Sequence, residues 1–147
     1  MQGQSPAERT RDIISAYYAA FNSGDVEAMI EWAADDIVHD VNQGERREGK
    51  DRFHAFCARM AHHYHESLED IVIMTSEDGT RAAAEFNVIG TYLETETGLP
   101  PAAKQKYILP AGAFFALRGD KIARVSTYYN LTEWIMQVSG PDALNGL

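Results

Sequence analysis

The strongest constraint on the fold is a change in the hydrophobic pattern of the chain near Ser67. Before this residue, apolar side chains recur mostly at the spacing of an α-helix; after it, apolar and polar side chains alternate in one segment after another. Residues 77–80, "EDGT", contain an Asp-Gly pair of the kind that joins two strands of a β-hairpin. Helices followed by a meander of strands predict an α+β domain, in which helices cover one face of a curved antiparallel sheet. A curved sheet covered in this way encloses a pocket.

The helical part of the chain contains clear start and stop signals. Ser5 precedes Pro6 at the start of the first predicted helix, and Gly24 and Asp25 end that helix and cap the second one. Helices are predicted over residues 6–22, 26–34, 50–66 and 131–138. Strands are predicted over residues 35–44, 67–76, 80–95, 105–118 and 122–130. Most of the predicted helical residues therefore precede the main run of strands.

Size and charge limit the classes of partner. The 147 residues suffice for one domain, so we expect residues 1–147 to form a single unit with a flexible start over residues 1–6. The 13 basic and 22 acidic residues give a net charge of −9, which disfavours binding to nucleic acid or to an anionic membrane surface. Cys57 is the only cysteine and the amino terminus lacks the apolar core of a secretory signal, so we expect a cytoplasmic protein.

Several local strings resemble one superfamily of proteins. They are "YYAAFNSGD" at residues 17–25, "WAADDIVHD" at 32–40, "GLPP" at 98–101 and "GDKIARVSTYYNLTEW" at 119–134. With the order of the predicted elements, they make the chain similar to the nuclear-transport-factor-2-like superfamily, in particular to its ketosteroid isomerase-related and SnoaL-like polyketide cyclase branches. The resemblance implies a cone of three amino-terminal helices against a strongly curved sheet, with an apolar cavity. The same scaffold hosts isomerases, cyclases, epoxide hydrolases, dehydratases and non-catalytic binding modules.

The isomerase branch supplies two candidate catalytic residues. In steroid isomerases a tyrosine of the first helix hydrogen-bonds an enolate and an aspartate of the first strand moves the proton, and the resemblance assigns these roles to Tyr17 and Asp40. The second acid of those enzymes falls at Ala113, and a supporting tyrosine falls at Cys57. The resemblance therefore implies only part of the isomerase apparatus.

The other two branches also match in part. In the epoxide hydrolases of this fold an asparagine that holds the attacking water corresponds to Asn42, whereas the arginine and acid positions correspond to Glu85, Asn87 and Thr127. The polyketide cyclases carry an acid in the last strand, where this chain offers Thr127 and its two neighbouring tyrosines. Water addition to an epoxide is therefore a further alternative to proton transfer.

Strand geometry groups the same residues without any template. Side chains two residues apart lie on one face of a strand, which puts Asp40 with Asn42 and Glu85 with Asn87. We predict that these faces converge on the pocket. Burial in an apolar pocket raises the pKa of a carboxyl group toward the range that suits a general base at neutral pH. Asp40 and Glu85 are the candidate bases, Asn42 is a candidate hydrogen-bonding group, and Tyr17 is the candidate donor to a substrate carbonyl.

Two histidine-containing clusters receive other assignments. In "HDVNQG", residues 39–44, alternation puts His39 and Val41 on the face away from the pocket, and the turn begins at Gln43. The cluster "HHYH", residues 62–65, lacks the spacing of known zinc motifs, so we expect no metal and no other cofactor.

The sequence leaves several functions open. The leading expectation is a cofactor-independent enzyme that moves a proton next to the carbonyl group of a small apolar molecule, in a homodimer. The alternatives are a non-catalytic module that binds a small molecule, a module that only dimerises, and the epoxide hydrolase-like reaction. Besides the four catalytic candidates, the residues expected to contact the substrate are Trp32, Cys57, His63, Tyr64, Asn87, Tyr107, Ala113, Thr127 and Tyr129.

Overall fold

Helices and strands follow one another largely in the predicted order. The computed structural model describes the backbone of residues 3–145 and the side chains of residues 3–139. The helices are α1 (Pro6–Ser23), α2 (Val26–Glu31), α3 (Lys50–His63) and α4 (Leu131–Asn145). The strands are β1 (Ala33–Val41), β2 (Arg47–Glu48), β3 (Tyr64–Thr75), β4 (Arg81–Tyr92), β5 (Lys106–Arg118) and β6 (Lys121–Tyr129). This content confirms the α+β class. No helix in the described residues is long and apolar enough to cross a membrane.

The six strands form one open, curved sheet in the order β2-β1-β6-β5-β4-β3. Neighbouring strands run antiparallel, as predicted, except that β1 and β6 run parallel. β1 and β6 lie far apart in the chain, so their pairing is a long-range contact that no local turn motif predicts. This pairing brings the start of the sequence and its last strand together in the wall of the sheet.

The local signals of α1 and α2 act as the sequence predicts. The side chain of Ser5 accepts a hydrogen bond from the backbone N–H of Glu8, and the Glu8 carboxylate accepts one from the Ser5 N–H. Gly24 ends α1 with φ of 75°, a left-handed conformation that suits glycine, and Asp25 caps α2 through Ala28 N–H. The flexible start was predicted for residues 1–6, of which residues 1 and 2 lie outside the described part of the chain.

The core lies between the inner face of the sheet and helices α1 to α3. Small residues on neighbouring strands leave space there, because Ala84, Ala113 and Thr127 lie opposite one another in register. Aromatic side chains of α1 fill this space. The ring of Tyr18 makes edge-to-face contacts with the rings of Tyr17, Phe86 and Phe115. The apolar residues buried in this cluster include Ile13, Ile14, Met29, Ile37, Phe53, Leu68, Phe115 and Ile122.

The closing helix α4 docks on β5 near the open end of the sheet. The Gln137 side chain accepts a hydrogen bond from the N–H of Ile108 and donates one to its carbonyl. The Trp134 ring, 4% exposed, packs edge-on against Tyr107 and Tyr92. The sequence predicted a short helix over residues 131–138, and the backbone of α4 continues to Asn145.

One boundary differs from the prediction in a way that matters for the site. The third helix was predicted to continue to residue 66, but α3 ends at His63 and β3 begins at Tyr64. Tyr64 pairs with Tyr92 and Glu66 with Gly90, so the pairing with β4 extends β3 back to this point. As a result, Glu66 is a strand residue whose side chain direction is set by the sheet.

Candidate active site

A cavity of about 570 Å³ lies between the sheet and the helices. Its walls come from β1 and β3 to β6, from α1, α2 and α3, from Trp134 of α4 and from the loop between β4 and β5. The volume is typical of a site for a small molecule. The apolar part of the wall includes Phe21, Met29, Phe53, Phe56, Leu68, Phe86, Val88, Leu109 and Ala111. The predicted apolar pocket is therefore present.

Glu66 brings a carboxyl group to this cavity from β3. Glu66 lies opposite Gly90 in β4, and Gly90 lies opposite Tyr107 in β5, so the three residues form one row across the sheet. The ring of Tyr107 occupies the space that a side chain at Gly90 would need, since a Cβ there would lie 2.2 Å from the ring carbon Cζ. Across this gap the Tyr107 hydroxyl donates a hydrogen bond to Oε2 of Glu66. The absence of a side chain at Gly90 thus permits the contact.

The surroundings of Glu66 favour its protonated form. Burial raises the pKa of the Glu66 carboxyl above its ordinary value, and the hydrogen bond from Tyr107 lowers it only in part. A carboxyl group with a raised pKa remains protonated to higher pH and is a stronger base when it ionises. Glu66 is therefore equipped to accept a proton from a bound molecule and to return it.

Phenol groups lie in the same part of the cavity. Tyr64 and Tyr129 both line it. Burial raises the pKa of Tyr64 and of Tyr129, and the nearby carboxylates of Glu66 and Glu96 raise both further. These hydroxyls consequently stay protonated at neutral pH and are available as hydrogen-bond donors to a carbonyl oxygen.

His39 contributes a further polar side chain to the wall, from β1. Its ring lies between those of Phe53 and Phe56, with centroid distances of 4.9 and 4.5 Å. The residue is 4% exposed, and its Nδ1 has no hydrogen-bond partner in the described residues. Burial lowers the pKa of His39 to about 4, and the positive charge of Arg47 contributes while Asp40 opposes it. The imidazole is therefore neutral at neutral pH.

Five of the predicted site residues line the cavity. They are Tyr17, Cys57, Tyr64, Thr127 and Tyr129. Burial raises the pKa of Tyr17 well above its ordinary value and that of the Cys57 thiol to about 12. Both groups are therefore neutral at physiological pH, so Tyr17 remains a candidate hydrogen-bond donor and Cys57 is not a thiolate nucleophile.

The prediction that Asp40 faces the pocket is wrong. Asp40 is 7% exposed, and its carboxylate is bound by the Arg46 guanidinium at 2.7 Å and does not line the cavity. Burial alone would raise the pKa of Asp40, but hydrogen bonds from Ser126 and Arg46 and the charge of Arg46 outweigh it, so the pKa is lowered. The residues inside are instead His39 and Val41, because they share a face with the fully buried Ile37.

Asn42 also lies outside the cavity wall, contrary to prediction. It has φ of 52° and begins the turn after β1 one residue earlier than expected. Its backbone N–H donates to the carbonyl of Thr127, and its side-chain Oδ1 accepts from the N–H of Tyr129, both at 2.8 Å. The carboxamide thus connects the end of β1 to β6. The epoxide hydrolase resemblance assigned this side chain to a water molecule, but in the structure it binds the backbone of Tyr129.

Glu85 and Asn87 share one strand face, as predicted, but it is the outer face of the sheet. Glu85 is exposed, and the buried residues of β4 that alternate with it are Ala84 and Phe86. Asn87 donates a hydrogen bond to Asp70 at 3.1 Å. The predicted placement of both residues in the pocket is therefore wrong, because the apolar neighbours of these two residues face inward.

Three other residues that were predicted to contact the substrate do not line the cavity. Trp32 ends α2, and its carbonyl accepts a hydrogen bond from Ile122 N–H at 2.8 Å. Ala113 is 1% exposed and packs in the core. Tyr107 does not line the cavity itself, but it reaches Glu66, which does. Of these three, only Tyr107 has a polar contact with the site.

The histidine cluster at residues 62–65 is not gathered into one site. Nδ1 of His63 forms a hydrogen bond with the carbonyl oxygen of Glu94 at 2.9 Å. Contrary to prediction, His63 does not line the cavity, whereas His65 does. Within the part of the chain that the structure describes, no group of three His, Cys, Asp or Glu side chains is arranged to hold a metal ion.

Sequence reasoning missed two residues of the site, Glu66 and His39. Glu66 was assigned to the end of a helix, although Tyr64, Glu66 and Leu68 follow the alternation of a strand. His39 was assigned to the outer face, although Ile37 and Val41 on either side of it at period two indicate an inward face. In both cases the signal was a short alternation of apolar residues around one polar residue.

Known proteins resemble this chain in sequence and in structure. Residues 14–125 match the family described as "SnoaL-like domain". No curated protein matches the chain significantly. Three solved structures of candidate polyketide cyclases are similar over most of their length. The one from Pseudomonas putida KT2440 is 52% identical with a TM-score of 0.86, covering 92% of this chain and 99% of its own.

The other two similar structures come from different bacteria. The protein from Silicibacter sp. TM1040 is 51% identical with a TM-score of 0.88, covering 94% of this chain and 100% of its own. The protein from Xanthomonas campestris pv. campestris is 48% identical with a TM-score of 0.88, covering 91% of this chain and 99% of its own. The fold is therefore shared with proteins of closely similar sequence.

Proposed function

Because this chain belongs to the SnoaL-like domain family, we propose that it is a cofactor-independent enzyme that moves a proton on a small, mainly apolar carbonyl compound. The family comparisons support this reaction class, since the three similar structures are of candidate polyketide cyclases. The apolar wall of the cavity supports an apolar substrate. The net charge of −9 disfavours an anionic one.

One observation carries the proposal: the Glu66 carboxyl lies in the cavity, has a raised pKa and is held by Tyr107. In the proposed reaction the ionised carboxylate removes a proton from the carbon next to the substrate carbonyl, and the electron pair moves onto the carbonyl oxygen. The protonated carboxyl then returns the proton to carbon. Tyr64 or Tyr129 donates a hydrogen bond to the oxygen as its charge develops.

The role of each group follows from its position. Tyr107 acts through Glu66 and is a positioning residue, since its hydroxyl is bound to the carboxyl and it does not line the cavity. Tyr17 lines another part of the cavity, where its ring contacts Phe115. We assign Tyr17 to substrate binding, which changes the donor role expected from the isomerase resemblance.

The test is deuterium exchange into 2-tetralone, an apolar ketone with exchangeable hydrogens next to its carbonyl. The protein is incubated with the ketone in D₂O, and label uptake is followed by NMR. We expect acceleration by the wild-type protein and a loss of about 100-fold or more in Glu66→Gln. Glu85→Gln makes the same chemical change on the outer face and is expected to retain the wild-type rate.

Two results would oppose the proposal. Equal exchange rates in Glu66→Gln and wild type would remove Glu66 from the reaction. Binding of 2-tetralone without any exchange above the buffer rate would favour the non-catalytic binding module. Asp40→Asn provides a further comparison, because Asp40 lies outside the cavity and its replacement is expected to leave exchange unchanged.

A further inference from the structure

A second carboxyl group reaches the cavity from the loop between β4 and β5. This loop, residues 93–105, contains the string "GLPP", and its Glu96 is part of the cavity lining. The hydroxyl of the fully buried Tyr92 accepts a hydrogen bond from the Glu96 N–H at 2.9 Å and donates one to the carbonyl of Pro100 at 2.8 Å. Tyr92 therefore fixes both ends of the turn from Glu96 to Pro100, and Glu96 has a defined place in the wall.

The Glu96 carboxylate has no partner of opposite charge among the described side chains. None of the ion pairs there includes Glu96 or Glu66. The basic residues of the cavity wall do not supply one: burial lowers the pKa of His39 to about 4, and neither Arg59 nor His65 is paired with a carboxylate. A carboxylate in a largely apolar wall is stabilised when a positive charge comes close to it.

Aromatic rings lie in the same part of the cavity wall. Tyr64, Tyr129 and Trp134 all line the cavity, and they pack in one cluster with the buried Tyr92. The Tyr64 ring stacks on that of Tyr92 with centroids 5.4 Å apart, and Trp134 packs edge-on against Tyr64 at 5.9 Å. Burial raises the pKa of Tyr64 and of Tyr129, and the charge of Glu96 raises both further. The carboxylate is therefore close to both phenol groups.

A carboxylate beside aromatic rings favours a cation. The face of an aromatic ring carries partial negative charge and attracts ammonium groups, and Glu96 adds a full negative charge. The net charge of −9 acts in the same direction. A metal ion would need several oxygen, nitrogen or sulfur ligands, and no group of three His, Cys, Asp or Glu side chains in the described part of the chain is arranged to hold one. An organic ammonium group suits this wall better.

We propose that the substrate carries a positively charged nitrogen that binds beside the Glu96 carboxylate and the rings of Tyr64, Tyr129 and Trp134, while its carbonyl group lies at Glu66. The substrate class is then a ketone with an apolar body and an ammonium group. The position of the carbonyl rests on the proposed function, whereas the contact with the cation rests on Glu96 and the aromatic rings alone. The two carboxyl groups thus have separate roles: Glu96 binds the charge and Glu66 moves the proton.

The experiment compares two probes of the same shape that differ in charge, 4-acetyl-N,N,N-trimethylanilinium and 4-tert-butylacetophenone. A quaternary nitrogen in the first probe replaces a quaternary carbon in the second, so the charge does not depend on pH. Dissociation constants are measured by equilibrium dialysis for the wild type, Glu96→Gln and Glu94→Gln. Glu94 is exposed in the same loop and does not line the cavity, so Glu94→Gln makes the same change in net charge outside the site.

We expect the wild type and Glu94→Gln to bind the cationic probe about tenfold more tightly than the neutral one, and this preference to fall to about threefold or less in Glu96→Gln. The inference is overturned if the wild type binds both probes equally, or if Glu94→Gln and Glu96→Gln have the same effect.

These affinities are measured independently of catalysis, so the two proposals can fail separately. A charge preference that depends on Glu96, without exchange of 2-tetralone, would count against the proposed function alone. Exchange of 2-tetralone that is lost in Glu66→Gln, without any charge preference, would count against the cation site alone.

Discussion

The hydroxyl of Tyr107 on β5 reaches the carboxyl of Glu66 on β3 across the intervening strand β4. Strands that are not neighbours make this contact because Gly90, between them, has no side chain. The polar pair therefore depends on the register of three strands at once. Its geometry leads to the first three predictions below.

Gly90→Ala should disrupt the contact between Tyr107 and Glu66 across β4. A Cβ at this position would lie 2.2 Å from Cζ of Tyr107, so the ring must move, and the expected loss in the free energy of unfolding is about 1–3 kcal/mol. Urea denaturation measures it. Gly112→Ala is the control, since its Cβ would meet the carbonyl oxygen of Ala84 at 3.2 Å. In a Tyr107→Ala background the clash is gone, and Gly90→Ala should then cost little; an equal cost in both backgrounds would contradict this account.

Tyr107→Phe should shift the pH dependence of exchange. The hydrogen bond from Tyr107 lowers the pKa of Glu66, so its removal raises that pKa further. Glu66 then ionises only at a higher pH than in the wild type. In a plot of the 2-tetralone exchange rate against pH, the rise in rate therefore moves to higher pH. Tyr128→Phe removes a hydroxyl from a tyrosine that packs on the exposed Phe114 and should leave the profile unchanged. A profile that keeps its midpoint in Tyr107→Phe would argue against positioning by this hydroxyl.

Glu66→Gln should stabilise the protein at neutral and alkaline pH. The pKa of Glu66 is raised in the folded state above the ordinary value of 4.5, so the folded state holds the proton more tightly than the unfolded state. Stability is therefore lost as pH rises from about 4.5 through the raised pKa, and glutamine removes this loss. Thermal unfolding should give a higher Tm for Glu66→Gln at pH 8 and equal values at pH 4. A lower Tm for the variant at pH 8 would show that the ionised carboxylate stabilises the fold.

The outer face of the sheet should hold a second copy of the chain. Val72, Met74, Ile108 and Phe114 are between 47% and 60% exposed, and they lie on β3 and β5. An apolar face of this kind indicates a protein contact, and twofold symmetry would bring the same face of another copy against it. We expect Phe114→Lys to convert a dimer to a monomer in sedimentation equilibrium. Leu131→Lys, at an exposed apolar position on α4, is the control, and a monomeric wild type at high concentration would reject the dimer.

Element types followed from local signals. The Ser5 cap, the Gly24 stop and the Asp-Gly hairpin act on residues close to them in the chain. Their effects can therefore be predicted from the local sequence without knowledge of the tertiary structure. The start of β3 could not be predicted from local signals, because residues 64–66 fit both the end of a helical pattern and the beginning of an alternating one. Pairing of Tyr64 with Tyr92 decides between them, and that contact spans a long stretch of chain.

The sequence by itself determined the class of fold, the presence of an apolar pocket and the sets of residues that share a strand face. Only the tertiary structure decided which face is inside. Alternation groups Asp40 apart from His39, but the parallel pairing of β1 with β6 and the packing of α3 on His39 turn the histidine inward and leave Asp40 to Arg46. The physical reason is that alternation is a local property of a strand, whereas burial depends on what the rest of the chain places against each face.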